Sequence, residues 1–429
     1  MSRARAILAL AAPTALGSVL QAAAQLVEMW LAARQGTAAL AGWAVVLPFA
    51  LLMQMMSAGA MGGGVVSAIA RALGGGRREE ASALVLHAAW IALAGGLLFA
   101  LPLALAPQAI LGVIGGAEAA AAAAPYAVWL FGLGAVPVWL MNTLASVLRG
   151  GGRHALAARV LVVAWGAYPA LGWAFAEPLG MGLAGLGAAF GVVFWMAALV
   201  MILAVLRGGA GFLPSLAQRP SRAMFWRILK VGLVACGLAT LANLTTIFVT
   251  AQLAPRGAAV VAGYGISARL EFLIIPLAFS IGSALTALVG RAVGAGDWAE
   301  ARRIAWTGGA MAFVFAGSIG VVVGLFPVHF ARAFSADPAV VELAAQALSI
   351  IGPAYGGFGL GMALYFASLG AGRMSWPTAA AVSRLICAVG GGWLLAQSFG
   401  LNGHFIGVAL GLTAYGAVLA ASVRPGVWR

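Results

Sequence analysis

Charge is scarce in this sequence. Asp, Glu, Lys and Arg together make up 8% of its 429 residues, and only ten residues are acidic. With 63% hydrophobic residues and a mean hydropathy of +1.04, the chain lies outside the range of soluble globular domains. Cysteine is nearly absent: Cys236 and Cys387 stand far apart inside apolar stretches, which excludes a disulfide framework and a thiolate cluster. His87, His154, His329 and His404 are scattered without ligand spacing, so no metal site is expected. Paired acids at membrane depth are lacking too, so an embedded enzyme is not expected. The apolar runs show no period-2 alternation, which argues against a membrane barrel.

What is present is a series of apolar runs separated by short polar breaks. A hydrocarbon core about 30 Å thick needs about 20 apolar residues per helix, and backbone groups in lipid must be satisfied within the segment. Helices are therefore predicted over 7–33, 38–70, 81–105, 120–148, 155–175 and 182–206. A second six follow over 225–253, 258–289, 301–327, 338–368, 376–398 and 403–423. Arg3 and Arg5 before an apolar run resemble a cleavable signal. The run continues through Glu28 to Ala33, however, so the segment is expected to stay as the first span.

The formal charge of +14 does not point to nucleic acid, because no basic soluble module with interleaved aromatics exists. The basic residues instead fall in alternate gaps. Arg3, Arg71, Arg149, Arg219, Arg291 and Arg384 are among the many on one side, while the opposite gaps hold only Arg34, Arg256 and Arg332. This bias predicts both termini in the cytoplasm of a bacterial inner membrane and an even number of spans. Lipid and a small organic molecule are the expected partners, and a monomer is expected.

The chain also repeats itself. Residues 70–81 read ARALGGGRREEA and residues 290–301 read GRAVGAGDWAEA, so Arg71, Gly74, Gly76 and Glu80 match Arg291, Gly294, Gly296 and Glu300 at an offset of 220. The same offset pairs Gly152 and Arg153 with Gly372 and Arg373, and Gly180 and Gly187 with Gly400 and Gly407. With a slip of one residue, TAALAGW from Thr37 matches AAVVAGY from Ala258. Six spans per repeat is even, so the halves share one topology. The expected fold is an all-α membrane protein of twelve transmembrane helices, in two six-helix bundles related by pseudo-twofold symmetry. The bundles are expected over 1–207 and 223–429, with a cytoplasmic linker over 208–222. Sixty glycines suit close helix approach in lipid.

These segments carry a resemblance. GISARLEFLIIPLAFSIGSALTALVGRAVGAGDWAEARR from Gly265 is similar to the eighth helix and following loop of the multidrug and toxin extrusion (MATE) family. Pro13 with Glu28 in the first helix, LRGGGR from Leu148 and GMGLAGLGAAF from Gly180 extend the likeness over nearly the whole chain. The resemblance implies two bundles forming a V, which export organic and often cationic compounds against inward flow of protons or sodium. It departs in places. The acids that one branch carries in its seventh and tenth helices are absent from LATLANLTT (from Leu238) and GPAYGGFGLGM (from Gly352). Where another branch has a fifth-helix Asn and Asp, this chain reads AYPALGW from Ala167.

Eight of the ten acids fall in gaps or at helix ends, leaving Glu28 and Glu271 at membrane depth. An acid there is costly and should face a cavity or a partner. Both are candidates for cation coupling, with H⁺ preferred over Na⁺ and no other cofactor expected. The alternative for Glu28 is a snorkelling or helix-packing role beside Gln25. Glu271 and the nearby Arg269 lie on different faces of one helix, and one of them is expected to pair elsewhere. Candidate substrate-cavity residues are Gln21, Gln25, Met53, Gln54 and Asn142 in the first half, and Asn243, Thr246, Arg269 and Tyr355 in the second. Ordinary packing is the alternative for each. Pro13 removes a helix hydrogen bond and is a candidate hinge. A flippase of a lipid-linked precursor is the competing function, and it would need a cationic cavity.

Overall fold

In a computed structural model, which describes residues 2–215 and 219–428, the chain is built of helices. Among the described residues there is no strand, only an isolated bridge between Pro425 and Trp428. Twelve helices are long and apolar enough to cross a membrane. They are α1 (Arg3–Arg34), α2 (Thr37–Gly74), α3 (Arg78–Leu105), α4 (Gly115–Gly150), α5 (His154–Ala176) and α6 (Gly182–Leu206), then α7 (Arg222–Arg256), α8 (Ala258–Gly294), α9 (Trp298–Leu325), α10 (Pro338–Ala371), α11 (Ser375–Phe399) and α12 (Leu401–Ser422). Each predicted span has its counterpart, with ends moved by a few residues. α4 and α10 are each preceded by a short helical segment that begins at a proline, Pro107 and Pro327, again 220 apart (327 against 107). Proline suits a first helical position because the missing N–H has no partner there anyway.

The repeated glycines mark the places where the chain turns. Gly76 and Gly296 both take positive φ, 74° and 82°, a conformation that costs a side chain with a Cβ. Each ends its helix in the same way: Arg77 N–H reaches back to Ala72 O at 2.9 Å, and Asp297 N–H to Ala292 O at 2.9 Å. This six-to-one bond satisfies a carbonyl that would otherwise be orphaned at the helix end. Other matched glycines serve close packing. A methyl on Gly187 would sit 2.7 Å from Tyr126 O, and one on Gly407 would sit 2.3 Å from Gly392 Cα. Without a hydrophobic drive between helices in lipid, such backbone approach is what packs them.

The chain divides into two compact units, Leu10–Leu233 and Met1–Ala9 with Val234–Arg429. The boundaries of these compact units fall inside α1 and α7. In the first unit, the opening turns of α7 lie against α2, with a Cβ on Gly64 only 2.9 Å from Ile228 O, and Arg227 donates to Glu80 at the start of α3. In the second unit, Arg3 donates to both oxygens of Glu300, at 2.8 and 2.9 Å, at the start of α9. Glu80 and Glu300 are repeat equivalents, so the duplicated acid anchors an arginine from the first two turns of a helix in each unit.

The core of the first unit is α4 packed against α3 and α6, closed by an aromatic cluster. Trp165 and Phe194 meet edge to face at 4.9 Å, and Tyr168 meets Phe190 at 5.4 Å. The second unit is centred on α10, which packs against α8, α9 and α12. α2 and α11 each contain a π-helical turn, Met55–Met61 and Ile386–Gly391. Such turns re-aim the side chains beside them and recur at functional sites.

Candidate functional site

Two acids are buried among the described residues, Glu28 and Glu271, which are 7% and 8% exposed. They have different surroundings.

Glu28 is buried in the first unit and bonded to another helix, which fits the helix-packing alternative as well as the coupling role and not an exposed, snorkelling carboxyl. Tyr126 of α4 donates its hydroxyl to Glu28 Oε1. Tyr168 of α5 and Trp43 of α2 lie beside the same carboxyl. The Tyr168 hydroxyl is buried beside the acid without a full hydrogen bond among the described residues, so this second donor is only loosely engaged. The local sequence explains the placing. Gly187 lets α6 press on α4 at Tyr126, and Gly42 lets α2 approach α4 until a Cβ would meet Ala123 N at 2.8 Å. Trp165 and Phe190 grip the Tyr168 ring from two sides at 6.2 and 5.4 Å. Among the described residues no arginine, lysine or histidine forms an ion pair with Glu28. A carboxylate at this depth has its charge balanced only when a proton or another cation joins it.

Glu271 has its balancing charge built in. Arg384 of α11 donates to Glu271 Oε1 at 2.5 Å, and its guanidinium lies over the Phe358 ring, 5.1 Å from the centroid. This corrects two expectations. Arg384 does not belong with the basic gaps: it is buried nine residues past Ser375 and tolerated there because Glu271 neutralises it. Arg269, the expected interior base, is exposed. Residues two apart on a helix point about 200° apart, so when α8 turns Glu271 inward, Arg269 must turn out.

The other candidates separate into groups. Asn142 of α4 donates to Gln54 Oε1 at 3.2 Å and to Ser57 Oγ at 2.9 Å, which ties α4 to the π-helical turn of α2. Gln21 and Gln25 are half-buried on α1, near neither of those groups in hydrogen-bonding terms. Asn243 and Thr246 are half-buried on α7 and bond back to their own helix, to Ala239 O at 2.9 Å and Ala242 O at 3.5 Å. Met53 and Tyr355 are corrections as cavity residues. Both are fully buried, and Tyr355 donates to Ser267 O at 3.3 Å, because each lies on the packed face of its helix. Pro13 lies within α1, which runs on through it as one helix. Sequence reasoning misses Tyr126, Tyr168, Trp43 and Arg384. The one available signal is AYPALGW, which holds Tyr168 where the family resemblance implies a polar pair.

Comparison with known proteins follows the same lines. The MatE family model matches residues 13–174 and 233–394, two copies displaced by 220 residues (233 against 13). Over 96 residues, 22% of its length, the chain is 33% identical to the probable multidrug resistance protein NorM of Thermotoga maritima. Over 171 residues, 39% of its length, it is 34% identical to the multidrug resistance protein PmpM of Pseudomonas aeruginosa. These stretches span only 21% and 35% of those two relatives. In fold the chain is similar to the Vibrio cholerae MATE transporter VcmN in its bent form, with a TM-score of 0.91 at 22% identity, covering 98% of this chain and 96% of that one. With the family model matched in both halves and the twelve-helix fold shared, the chain belongs to the multidrug and toxin extrusion (MATE) family.

Proposed function

We propose that this protein is a cation-coupled antiporter of the bacterial inner membrane, driven by protons, which exports organic cationic or amphiphilic compounds by alternating access. The observation that carries the reading is Glu28, a buried carboxyl with hydroxyl donors and no cationic partner among the described residues. A proton on Glu28 removes the charge that would hold a cationic substrate, and a bound cation makes the proton unnecessary. Exchange of one for the other at a single carboxyl couples their movements, provided the two states of the carrier differ in affinity for each. The multidrug resistance names of the relatives support drug export, and the one-sided distribution of Arg and Lys supports cytoplasmic termini. The protein acts as a monomer in this reading.

Sodium is the second candidate ion, although the polar groups that act on Glu28 among the described residues are Tyr126, Tyr168 and Trp43, with no second carboxylate among them. A flippase for anionic lipid-linked precursors is less favoured. Arg384 is already committed to Glu271, so it is not available to the anionic headgroup that such a cavity must hold.

The test is efflux of a cationic dye from proteoliposomes under separately imposed proton and sodium gradients. Glu28→Gln keeps the Tyr126 acceptor but cannot exchange a proton. It is expected to abolish proton-driven efflux while the protein remains folded and inserted. Wild-type rates in that variant would remove Glu28 from the mechanism.

A further inference from the structure

A cavity of about 500 Å³ opens in the second unit where α9 begins and α12 ends, far in sequence from the acids described above. Arg3, Arg302, Arg303, Trp306, Val423 and Pro425 line it. Arg3 engages both oxygens of Glu300 beside the cavity, with Asp297 close to the same carboxylate. Arg302 donates one N–H to Trp428 O at 3.0 Å. Arg303 is exposed, and no hydrogen bond from its side chain forms among the described residues. Among the described residues that line it, the cavity carries three arginines and no acid.

Its other end is apolar. Trp306 is 42% exposed while its indole N–H donates to Val423 O at 3.1 Å, the posture of an interfacial tryptophan with one polar edge and one apolar face. From Trp306 an exposed stripe runs along α9 through Ala310, Phe313, Val314 and Val321, all at helical spacing. A basic pocket continuous with an apolar helix face matches a molecule with an anionic head and an acyl tail.

Comparison with the duplicated half shows that this chemistry is not a by-product of the repeat. At the offset of 220, Arg302 and Arg303 correspond to Ser82 and Ala83. There, Ser82 donates to Leu213 O at 2.6 Å, and its backbone carbonyl accepts from Ser215 N–H at 3.4 Å, so the chain following α6 closes the surface. In the second unit the residues after α12 reach Arg302 and Trp306 but leave the cavity open.

We propose that this cavity binds the phosphate headgroup of an anionic glycerophospholipid, with an acyl chain along the exposed face of α9. Basic pockets between helices on the positively biased side of a membrane protein suit such headgroups. Inorganic phosphate shares the headgroup's charge but lacks the tail that would use the α9 stripe.

Native mass spectrometry of the purified full-length protein, titrated with phosphatidylglycerol, tests this. Phosphatidylcholine with the same acyl chains and inorganic phosphate are the comparison probes. One phosphatidylglycerol is expected to bind about tenfold more tightly than phosphatidylcholine, and inorganic phosphate should not displace it. Arg303→Glu should remove that preference. Arg332→Glu, at the other end of the second unit's spans, should keep it. The side chain of Arg303 makes no hydrogen bond among the described residues but lies near Glu300. Arg303→Gln is therefore paired with the charge reversal and should weaken the preference too, and an unchanged far-ultraviolet dichroism spectrum checks that both fold. Unaltered phosphatidylglycerol binding in Arg303→Glu, equal binding of phosphatidylcholine, or displacement by inorganic phosphate would each overturn the proposal.

Discussion

In the first unit Glu28 meets a tyrosine hydroxyl and a loosely engaged second one, whereas in the second unit Glu271 meets a guanidinium at 2.5 Å. The scaffold around them is duplicated, but the acids are not: at the offset of 220, Glu28 falls on Phe248 and Glu271 on Leu51. The repeat therefore supplies two similar frames of spans, turns and close glycine contacts, and the chemistry has been placed on them unequally. A carboxylate with a fixed arginine is a structural tie, since its charge is settled within the fold. One with only hydroxyl donors responds to whichever cation arrives. In the proposed reading, coupling therefore belongs to the first unit and bracing to the second.

The comparison can be broken most forcefully at Arg384. Arg384→Ala leaves Glu271 buried without its partner and is expected to cost about 3–5 kcal/mol in thermal or denaturant unfolding of the purified protein. Glu271→Leu combined with Arg384→Met should recover most of the loss, since removing both charges strands neither. If Arg384→Ala unfolds like wild type, the pair is not a brace and Glu271 returns as a coupling candidate.

A smaller effect is expected from Tyr126→Phe, which takes away the donor that Glu28 uses. A destabilisation of about 2 kcal/mol would fit a lost hydrogen bond to a buried carboxyl. Tyr168→Phe sharpens the contrast, because its hydroxyl makes no full hydrogen bond among the described residues. Its stability should stay within about 0.5 kcal/mol of wild type, while proton-driven efflux falls if that hydroxyl is used during the cycle. Equal destabilisation by the two substitutions would mean that both hydroxyls already hold the acid.

The smallest effect belongs to the exposed pair Arg34–Glu177, at 2.6 Å. Hydrogen bonding to Arg34 holds the Glu177 carboxyl below its ordinary value of 4.5. A group depressed in the folded state contributes stability above its unfolded value and loses it as pH falls through the folded one. Glu177→Gln should therefore lower the unfolding temperature slightly at neutral pH and not at all once the pH is below the depressed value. Salt should erase the difference, as it does for exposed ion pairs.

Much of the fold is legible in the residues themselves. The hydropathy pattern places α6 over 182–206, and the helix runs over Gly182–Leu206, because Gly180 and the hydrophobic run leave little freedom about its ends. The paired glycines read as a repeat because each does backbone work that other residues cannot do, at the turns of Gly76 and Gly296 and at the tight contacts of Gly187 and Gly407. The partners of the acids are not legible. Tyr126 lies 98 residues from Glu28 and Arg384 lies 113 from Glu271, and in an apolar run a tyrosine looks like packing. Arg384 misleads for a related reason: a lone arginine near a predicted span end resembles an interface anchor until its acid is seen.

Sequence by itself determined that this chain lives in lipid, how many times it spans, that it is doubled, and which family it joins. The first three follow from local facts, namely hydropathy over some twenty residues and glycines at fixed intervals, and the family from the resemblance of whole segments such as the one from Gly265. Only the tertiary structure decided which acid is paired with an arginine and which meets hydroxyl donors instead. Helix rotation and interhelical contact set that, and both depend on how distant segments pack, which no single stretch of sequence contains.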